Sequence, residues 1–280
     1  MFYKYLNEKT CEKFLLEMLE EKYIHFSDPE TLNDRFDCSY SFDEKTIMNF
    51  PIKENSWETI FSFIMEEGGE IDDLFVDANA KTLGDIFSHL EGRISPNILQ
   101  QVKSLLIRAL QNVKSTNLVY SMSEVNDSLL MWAHYGDNLK GAVLCLDPKK
   151  DPKVFSNARK IKYSKKRSLS NYMAQLTKSV DWKYEKEWRI ISYAGREKNC
   201  CRTPAIVAVI IGYNISIKLA NELLKFCIQN NMPMFFAEPD DKLYKINITP
   251  HYIPDFNIVN NGYDALIDTI THNKKRYKSI

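Results

Sequence analysis

A polar run between two apolar segments constrains the fold of this chain more than any other part of it. Leu118–Met122 and Ala142–Leu146 are rich in β-branched and apolar residues, so both are predicted strands. Six side chains able to form hydrogen bonds fall within nine positions between them: Trp132, His134, Tyr135, Asp137, Asn138 and Lys140. Packing alone does not require so many polar groups, so the run predicts a short helix and a tight turn that carry chemistry.

The helix in this run has recognisable ends. Asn126 or Asp127 is predicted to cap a helix over Ser128–Tyr135, and Gly136 with the residues after it is typical of a helix stop and turn. His134 lies on that helix. A lone histidine on a short helix is more often a structural group than a ligand contact, and both interpretations stay open.

The rest of the chain mixes strands and helices without a low-complexity linker. Thr46–Asn112 is predicted to be mostly helical, Ser216–Gln229 is a predicted helix, and Asp151–Lys183 is basic and predicted helical. We therefore predict one α+β domain over residues 1–280 with a helical insertion at about 46–112. The remaining predicted strands are Phe2–Tyr5, Tyr23–Ser27, Lys160–Tyr163, Glu187–Tyr193, Ala205–Ile211, Met234–Ala237 and Tyr244–Ile248.

The charge balance limits the kinds of partner. Among 280 residues, 37 Lys and Arg balance 37 Asp and Glu, so the chain has no overall attraction to nucleic acid or to an anionic membrane. Lys149–Lys166 is nevertheless locally basic and able to hold a nucleic-acid strand. Apolar runs such as Ala205–Gly212 are too short to span a bilayer, so no membrane partner is expected.

Cysteine and histidine spacing gives no sign of a metal site. The six cysteines form no C-x-x-C pair, and the five histidines are scattered. The amino terminus lacks the pattern of a secretory signal, so reduced thiols and a cytoplasmic location are expected. A glycine-rich phosphate-binding loop is also missing from the sequence, which disfavours a Rossmann or P-loop mode of nucleotide binding.

Two segments near the amino terminus are candidates for ligand contacts. Alternation on a strand gives Tyr3 and Tyr5 one face and Lys4 the other. The alternative is an edge strand with two packed tyrosines. In Phe26–Asp37, Asn33 with its neighbours either lines a cleft or fixes the loop through side-chain bonds to the backbone.

The segment Trp182–Ile191 supplies two carboxylates. If it is extended, Glu185, Glu187 and Arg189 share one face, while Trp188 and Ile190 anchor the other face in the core. Two like charges on one face raise the proton affinity of at least one of them unless a cation compensates. The alternative is a surface ion pair between Glu185 and Arg189.

In this order, these segments resemble a bacterial family called domain of unknown function 2971. Its members carry K-Y near the start, then F-S-x-P-x-x-x-N-D-x-F-[DE], then S-x-S-x-x-x-D-S-x-L-M-W-x-H-Y-x-D-x-x-x-G, and later Y-x-x-E-W-R. Lys4-Tyr5, Phe26–Asp37, Ser121–Gly141 and Tyr184–Arg189 match these patterns. The resemblance spans most of the chain except the helical block at Thr46–Asn112.

The layout is also similar to that of the ADP-ribosyltransferase superfamily, which uses NAD as a substrate. That similarity implies mixed, mostly antiparallel strands in a split-sheet core. It implies that Glu187 of the E-x-E pattern binds the ribose and opposes its developing positive charge, while Glu185 accepts a proton from the nucleophile. Lys4 or Tyr5 would take the first-strand position, where the superfamily carries histidine or arginine.

The same similarity implies the remaining contacts. Tyr135, Trp132 or Tyr5 would stack on the nicotinamide, and the other expected NAD contacts are Ser27, Asn33, Arg35 and His134. The ADP-ribose acceptor would be a protein or a nucleic acid, and the chain would act as a bacterial toxin or phage-defence effector. Because Lys4 departs from the superfamily pattern, a non-enzymatic module that binds a nucleotide or a partner protein is the alternative.

Overall fold

Strands and helices are described for residues 1–40, 42–52, 56–70, 79–110, 113–167, 171–193, 199–254 and 263–271 in the computed structural model of this chain. They fall into two units. The first comprises Met1–Leu32, Thr116–Lys165 and Lys178–Ile280, and the second comprises Asn33–Ser115 and Lys166–Thr177. The predicted insertion at 46–112 therefore lies inside the second unit, apart from its positions 53–55, 71–78 and 111–112, which are outside the described residues.

Strands and helices are interspersed along the described residues, with four helices in succession between Glu44 and Leu110. In chain order, the strands are β1 (Phe2–Leu6), β2 (Tyr23–His25), β3 (Ser39–Tyr40), β4 (Val113–Lys114), β5 (Leu118–Ser123), β6 (Ala142–Leu146), β7 (Arg159–Lys160), β8 (Lys162–Ser164), β9 (Thr177–Ser179), β10 (Glu187–Ser192), β11 (Cys200–Arg202), β12 (Ile206–Gly212), β13 (Met234–Pro239) and β14 (Ile246–Tyr252). The α-helices are α1 (Glu8–Thr10), α2 (Leu16–Glu20), α3 (Glu44–Met48), α4 (Ser56–Glu66), α5 (Leu83–Leu90), α6 (Pro96–Leu110), α7 (Leu129–His134), α8 (Pro152–Phe155), α9 (Asn171–Gln175), α10 (Ile217–Gln229) and α11 (Tyr263–Thr271). A π-helical stretch, Cys11–Leu15, joins α1 to α2.

Eight strands of the first unit form one sheet in the order β14-β13-β12-β6-β1-β5-β10-β7. Neighbours run antiparallel except β12 and β13, which are parallel. The predicted α+β class with a mixed, mostly antiparallel sheet is therefore confirmed. The expected helix over Asp151–Lys183 is wrong, because short elements alternate there, from α8 through β7 and β8 to α9 and β9.

Apolar side chains cover both faces of the sheet at its centre. Every residue of β6 is buried, which is the pattern of a strand covered on both sides. One face packs under α10, whose Leu223 and Phe226 are buried there. On the other face, Tyr3 and Tyr5 of β1 belong to the same buried cluster as Trp132 of α7. Each fully buried side chain of this size contributes roughly 1.5–3 kcal/mol.

Two caps show how local chemistry sets the helix bounds. Helix α10 begins at Ile217 because the hydroxyl of Ser216 accepts a bond from the Leu219 amide at 3.4 Å. Helix α7 is capped in the same way by Ser128, not by the predicted Asn126 or Asp127. The Asn126 side chain is engaged elsewhere, since its amide donates to the carbonyl of Ile270 at 2.9 Å.

The turn after α7 brings the end of β1 close to β6. Asp137, Asn138 and Leu139 are all left-handed, with φ of +49°, +53° and +66°. Gly141 follows, and a Cβ at that position would lie 1.9 Å from the carbonyl oxygen of Leu6. Only glycine permits this approach, so the predicted stop and turn is confirmed and its second glycine has a packing reason.

The second unit has a core of its own. Helices α3 to α6 contribute a separate apolar cluster that includes Ile60, Ile64, Ile86, Leu90 and Val102. Helix α5 begins with a capping box, in which Thr82 and Asp85 exchange side-chain and backbone bonds. The helical character predicted for this region is confirmed over its described residues.

Candidate active site

The sheet of the first unit opens between β1 and β5. Strand β1 pairs with β6 along its full length but shares with β5 only the register pair of Tyr3 and Ser123. Strand β5 pairs in turn with β10 from Ser123 back to Leu118. The two neighbours therefore diverge beyond Tyr3, and the next residue, Lys4, lies at the divergence.

Side-chain alternation on β1 follows the prediction. Tyr3 and Tyr5 are buried on one face, and Lys4 projects from the other. The Lys4 Nζ lies 5.0 Å from the centre of the Tyr120 ring. The Tyr120 hydroxyl is buried and has no hydrogen-bond partner among the residues that the structure describes. A partly buried cation and an unsatisfied hydroxyl donor thus adjoin at the opening of the sheet.

Four buried charged side chains form a row beside this opening. The guanidinium of Arg189 donates twice to Glu187, from Nε to Oε1 at 2.6 Å and from Nη2 to Oε2 at 3.0 Å. The Lys178 Nζ lies 2.6 Å from Glu185 Oε2 and 3.4 Å from Glu187 Oε2. Their side chains are at most 6% exposed. Charges alternate along this ionic row and balance, as burial of ions demands.

The backbone places the two carboxylates differently from the prediction. Glu187 and Arg189 share one face of β10, but Glu185 ends the 3-10 helix Val180–Glu185. Lys186 between them is left-handed, with a φ of +45°. The segment is therefore not extended through Glu185, whereas the strand predicted from Glu187 is confirmed as β10. The left-handed residue bends the chain so that both carboxylates still reach Lys178.

The environment separates the pKa values of the two carboxylates. Burial raises the pKa of Glu185 to about 7, with Lys178 opposing the rise and the charge of Glu187 adding to it. Burial acts in the same sense on Glu187, but Arg189 and Lys178 outweigh it and hold the pKa of Glu187 well below its usual range. At neutral pH, Glu187 is ionised and Glu185 is partly protonated. Such a divergence is characteristic of acid–base pairs.

Hydroxyl groups fix the row in place. Tyr135 donates to Glu185 Oε1 at 2.6 Å, and burial raises the pKa of Tyr135, so this donor stays protonated. The hydroxyl of Ser123 donates to the Glu185 carbonyl at 2.6 Å and accepts from the Val125 amide at 3.0 Å. The Glu187 amide donates to the Tyr163 hydroxyl at 2.9 Å. Glu185 is thus held at its carboxylate and its carbonyl, and Glu187 at its backbone amide, by hydroxyl groups from several elements.

Three rings form an aromatic group next to the ionic row. His134 lies 6.1 Å from Tyr184 and 6.3 Å from Trp182, measured between ring centres, and the two latter rings are 6.0 Å apart. The Lys178 Nζ is 5.0 Å from the centre of the Trp182 ring. His134 is exposed, and Trp182 and Tyr184 are partly exposed. The group is therefore partly accessible to solvent at one end of the row.

Lys4 is electrically coupled to the same row. Burial lowers the pKa of Lys4 to about 8, while Glu187 opposes that change and Arg189 and Lys178 add to it. Strand pairing explains this coupling, because Tyr3, which precedes Lys4, and Glu187 both stand opposite Ser123 of β5. The amino-terminal strand and the two carboxylates therefore lie close together, and Tyr135 at the end of α7 reaches Glu185; that these residues form an NAD site stays a prediction.

Two of the expected stacking residues have structural roles. Trp132 is fully buried, and its Nε1 donates to the carbonyl of Asn126 at 2.7 Å. The Tyr5 hydroxyl donates to the carbonyl of Val125 at 3.0 Å, and its ring meets Trp132 edge to face at 5.4 Å. Because both rings pack in the core, neither presents an open face to a ligand, and Tyr135 holds Glu185 instead.

The other expected contacts lie outside the row. Ser27 forms two backbone bonds with Val119 and so extends the chain beside β5. Asn33 and Arg35 belong to the second unit, where both are exposed. In that loop, Asp34 Oδ1 accepts from the Phe36 amide at 2.8 Å, which is the bonding expected if the loop fixes itself. Their role as NAD contacts stays a prediction.

Sequence reasoning missed Lys178, Tyr163 and Trp182. Lys178 lies on β9 inside a basic stretch, where one more lysine carries no signal. Tyr163 reaches Glu187 only because β7 pairs with β10. Trp182 did give a signal, because aromatic residues at positions 182 and 184 precede the E-x-E pattern directly.

Neither a group of metal ligands among the described residues nor a similar known protein indicates what this site does. Within the described ranges, no three His, Cys, Asp or Glu side chains are grouped to hold a metal ion. The same ranges contain no helix with the length and apolar character needed to cross a membrane. Comparison with protein-family models, with curated proteins and with solved structures gave no match.

Proposed function

We propose that this chain is an ADP-ribosyltransferase-like enzyme that cleaves the nicotinamide–ribose bond of NAD and transfers ADP-ribose to a macromolecule. The observation that carries the proposal is the pair of buried carboxylates, Glu185 and Glu187, on one lysine with oppositely shifted pKa values. The opening of the sheet between β1 and β5 supports a split-sheet core of the ADP-ribosyltransferase kind. A bacterial toxin or phage-defence effector fits this activity.

Glu187 supplies a fixed negative charge. Breaking the nicotinamide–ribose bond leaves positive charge on the sugar, while the bonding electron pair goes to the nicotinamide nitrogen. A carboxylate held in advance opposes that charge without reorganising, which contributes a few kcal/mol in a water-poor site (about 2.7–4 for a comparable preorganised group). The bidentate bond from Arg189 provides this rigidity.

Glu185 handles the proton. As the acceptor's nucleophile bonds to the anomeric carbon, it must lose a proton, and a base works best when its pKa lies near the working pH. The pKa of Glu185, raised to about 7, meets this condition. Tyr135 orients the carboxylate through its bond to Oε1.

The aromatic group and Lys4 take the substrate. A ring of the group can stack on nicotinamide, worth about 0.5–1.5 kcal/mol beyond burial of area. Lys4 can neutralise a phosphate oxygen, since a lysine binds phosphate as a point charge. This assignment transfers the stacking role from Trp132 and Tyr5 to His134, Trp182 and Tyr184.

The decisive experiment compares NAD turnover in wild type, Glu187→Gln and the exposed-surface control Glu12→Gln. Release of nicotinamide should fall at least a hundredfold in Glu187→Gln and stay unchanged in Glu12→Gln. Circular dichroism and thermal unfolding of each variant establish that the fold is kept. Wild-type turnover in a folded Glu187→Gln protein would refute the mechanism.

One observation favours a second candidate, a non-enzymatic nucleotide-binding module. Both oxygens of Glu187 are already bonded, to Arg189 and, on one side, also to Lys178. A carboxylate engaged in this way can serve to hold a binding surface. Isothermal calorimetry with NAD separates the candidates: heat of binding without nicotinamide release supports the module.

A further inference from the structure

The segment 148–165 forms a strongly basic edge on the first unit. It contains a single carboxylate, Asp151, although the whole chain has a net charge of zero. The cations are all exposed, and we call them together the basic edge: Lys149, Lys150, Lys153, Arg159, Lys160, Lys162 and Lys165. The remainder of the chain therefore carries an excess of negative charge, and the positive charge is concentrated here.

Nearby carboxylates are engaged in the local backbone. Asp147 accepts from the Lys149 amide at 3.0 Å and so begins the turn Pro148–Lys150. Asp151 caps α8 through the Val154 amide at 3.3 Å and accepts from the Thr203 hydroxyl at 2.8 Å. Glu124 pairs with Lys160 at 2.9 Å. These acids shape the edge, but they leave it with a large positive charge.

The basic edge is joined directly to the candidate catalytic strand. Lys160 stands opposite Trp188 in the pairing of β7 with β10, and the Ile161 amide donates to the Glu187 carbonyl at 2.9 Å. Tyr163 then accepts from the Glu187 amide. Both backbone groups of Glu187 are therefore bonded to the segment that carries the cations.

We propose that the basic edge binds single-stranded nucleic acid and that this strand is the acceptor of ADP-ribose, the second half resting on the proposed function. A stretch of cations interrupted by one carboxylate matches a polymer with a repeating negative charge. Aromatic rings lie among the cations, since the Lys160 Nζ is 5.7 Å from the Trp188 ring and Tyr163 adjoins Lys162. Cations with interleaved rings are the recurring arrangement for single strands, where bases stack on the rings.

The transfer step balances without another reactant. An oxygen or nitrogen of the strand bonds to the anomeric carbon of NAD, and the bond to nicotinamide breaks with its electron pair on the leaving group. The proton displaced from the strand goes to Glu185. The products are ADP-ribosylated nucleic acid and neutral nicotinamide.

Binding is measured first, without NAD, by fluorescence anisotropy. The probes are fluorescein-labelled RNA and DNA strands of about 20 nucleotides, and the same DNA as a duplex, titrated between about 50 and 200 mM NaCl. The test variant is the triple change K149E/K150E/K153E. The matched control, K218E/K225E/K242E, makes the same change of charge at exposed lysines elsewhere in the first unit.

Wild type and the control should bind single strands more tightly than the duplex. The test variant should lose at least tenfold in affinity, and its plot of log affinity against log salt should become shallower by about 2, since each lost phosphate contact removes about 0.7 from the slope. Nicotinamide release from NAD alone should be equal in all three proteins.

Several results would overturn the inference. They are no binding at the lowest salt, equal loss in both triple variants, tighter binding to the duplex, or tighter binding to phosphatidylserine vesicles than to any oligonucleotide. A basic edge strand also protects against edge-to-edge aggregation, and charge serving only that purpose would give the first result. Strand binding without NAD turnover would support the nucleic-acid surface and refute the proposed enzyme. NAD turnover without strand binding would support the enzyme and refute the nucleic-acid surface.

Discussion

The two faces of strand β10 carry opposite chemistry. Glu187 and Arg189 belong to the ionic row, whereas Ile190 and Trp188 pack into the apolar cluster on the other face. Burial is the main contribution to the stability of the apolar face, and each lost methyl group weakens it in proportion. The ionic face is stable only while every charge keeps its partner. Truncations on the apolar face should therefore lower the free energy of unfolding in small steps. Loss of a single charge on the ionic face should lower it sharply.

The substitution Arg189→Met should break the ionic face most severely. Glu187 is only 4% exposed, and the substitution removes the bidentate partner of its carboxylate. Removing one member of a buried ion pair costs about 3–5 kcal/mol. We expect a loss of this size in the free energy of unfolding, measured by urea denaturation.

The double variant E187Q/R189M serves as the control for that substitution. Replacing both members of a buried pair leaves no uncompensated charge, so the double variant should recover most of the stability lost in Arg189→Met. A double variant no more stable than the single one would show that the pair acts through packing and not through charge.

The apolar face of β10 should respond differently to truncation. Ile190→Ala should cost about 2–4 kcal/mol, and Ile190→Val about 0.5–1.5 kcal/mol, in proportion to the atoms removed. Because Ile190 faces away from the ionic row, the nicotinamide-release rate of the folded variant should match that of wild type. Urea denaturation and an NAD turnover assay at low temperature measure the two quantities, and a large loss of turnover in Ile190→Val would contradict the separation of the faces.

The same contrast between apolar packing and specific polar contacts separates the elements that the sequence predicts from those that it does not. The apolar strands β1, β5, β6 and β12 and the helix α10 follow local periodicity, and each was predicted within two residues of its observed bounds. The short strands β3, β4 and β11 lack such a pattern, because their pairing depends on distant partners. The cap of α7 was missed for the same reason, since Asn126 binds Ile270 across 144 positions of the chain.

The candidate site was only partly readable. The E-x-E pattern pointed to Glu185 and Glu187, but not to Tyr184 as a ligand contact. Their arrangement was not readable, because a left-handed lysine at position 186 is not a residue that signals a bend. Lys178 lies seven and nine positions before the two glutamates. No periodicity in the sequence predicts that its side chain reaches them.

The two carboxylates of the row should also differ in their dependence on pH. The folded-state pKa of Glu185 is raised to about 7, so its contribution to stability is complete below the ordinary pKa of about 4.3 and is lost as the pH rises through about 7. Glutamine at this position does not titrate. The free energy of unfolding of wild type minus that of Glu185→Gln should therefore fall between these pH values, by at most about 1.4 kcal/mol per pH unit. Urea denaturation at intervals from pH 4 to pH 8 measures this difference, and a constant difference would contradict the raised pKa.

The smallest expected effect tests whether the row and the aromatic group act on one substrate. If His134 stacks on the nicotinamide ring, His134→Ala should raise KM for NAD about two- to tenfold, because stacking contributes about 0.5–1.5 kcal/mol. The value of kcat should change little, since the ionic row is untouched. Leu130→Ala is the matched control, because Leu130 is exposed one turn earlier on α7. A fall in kcat without a change in KM would instead place His134 with the reacting groups, and equal KM values in the two variants would remove the aromatic group from the NAD site.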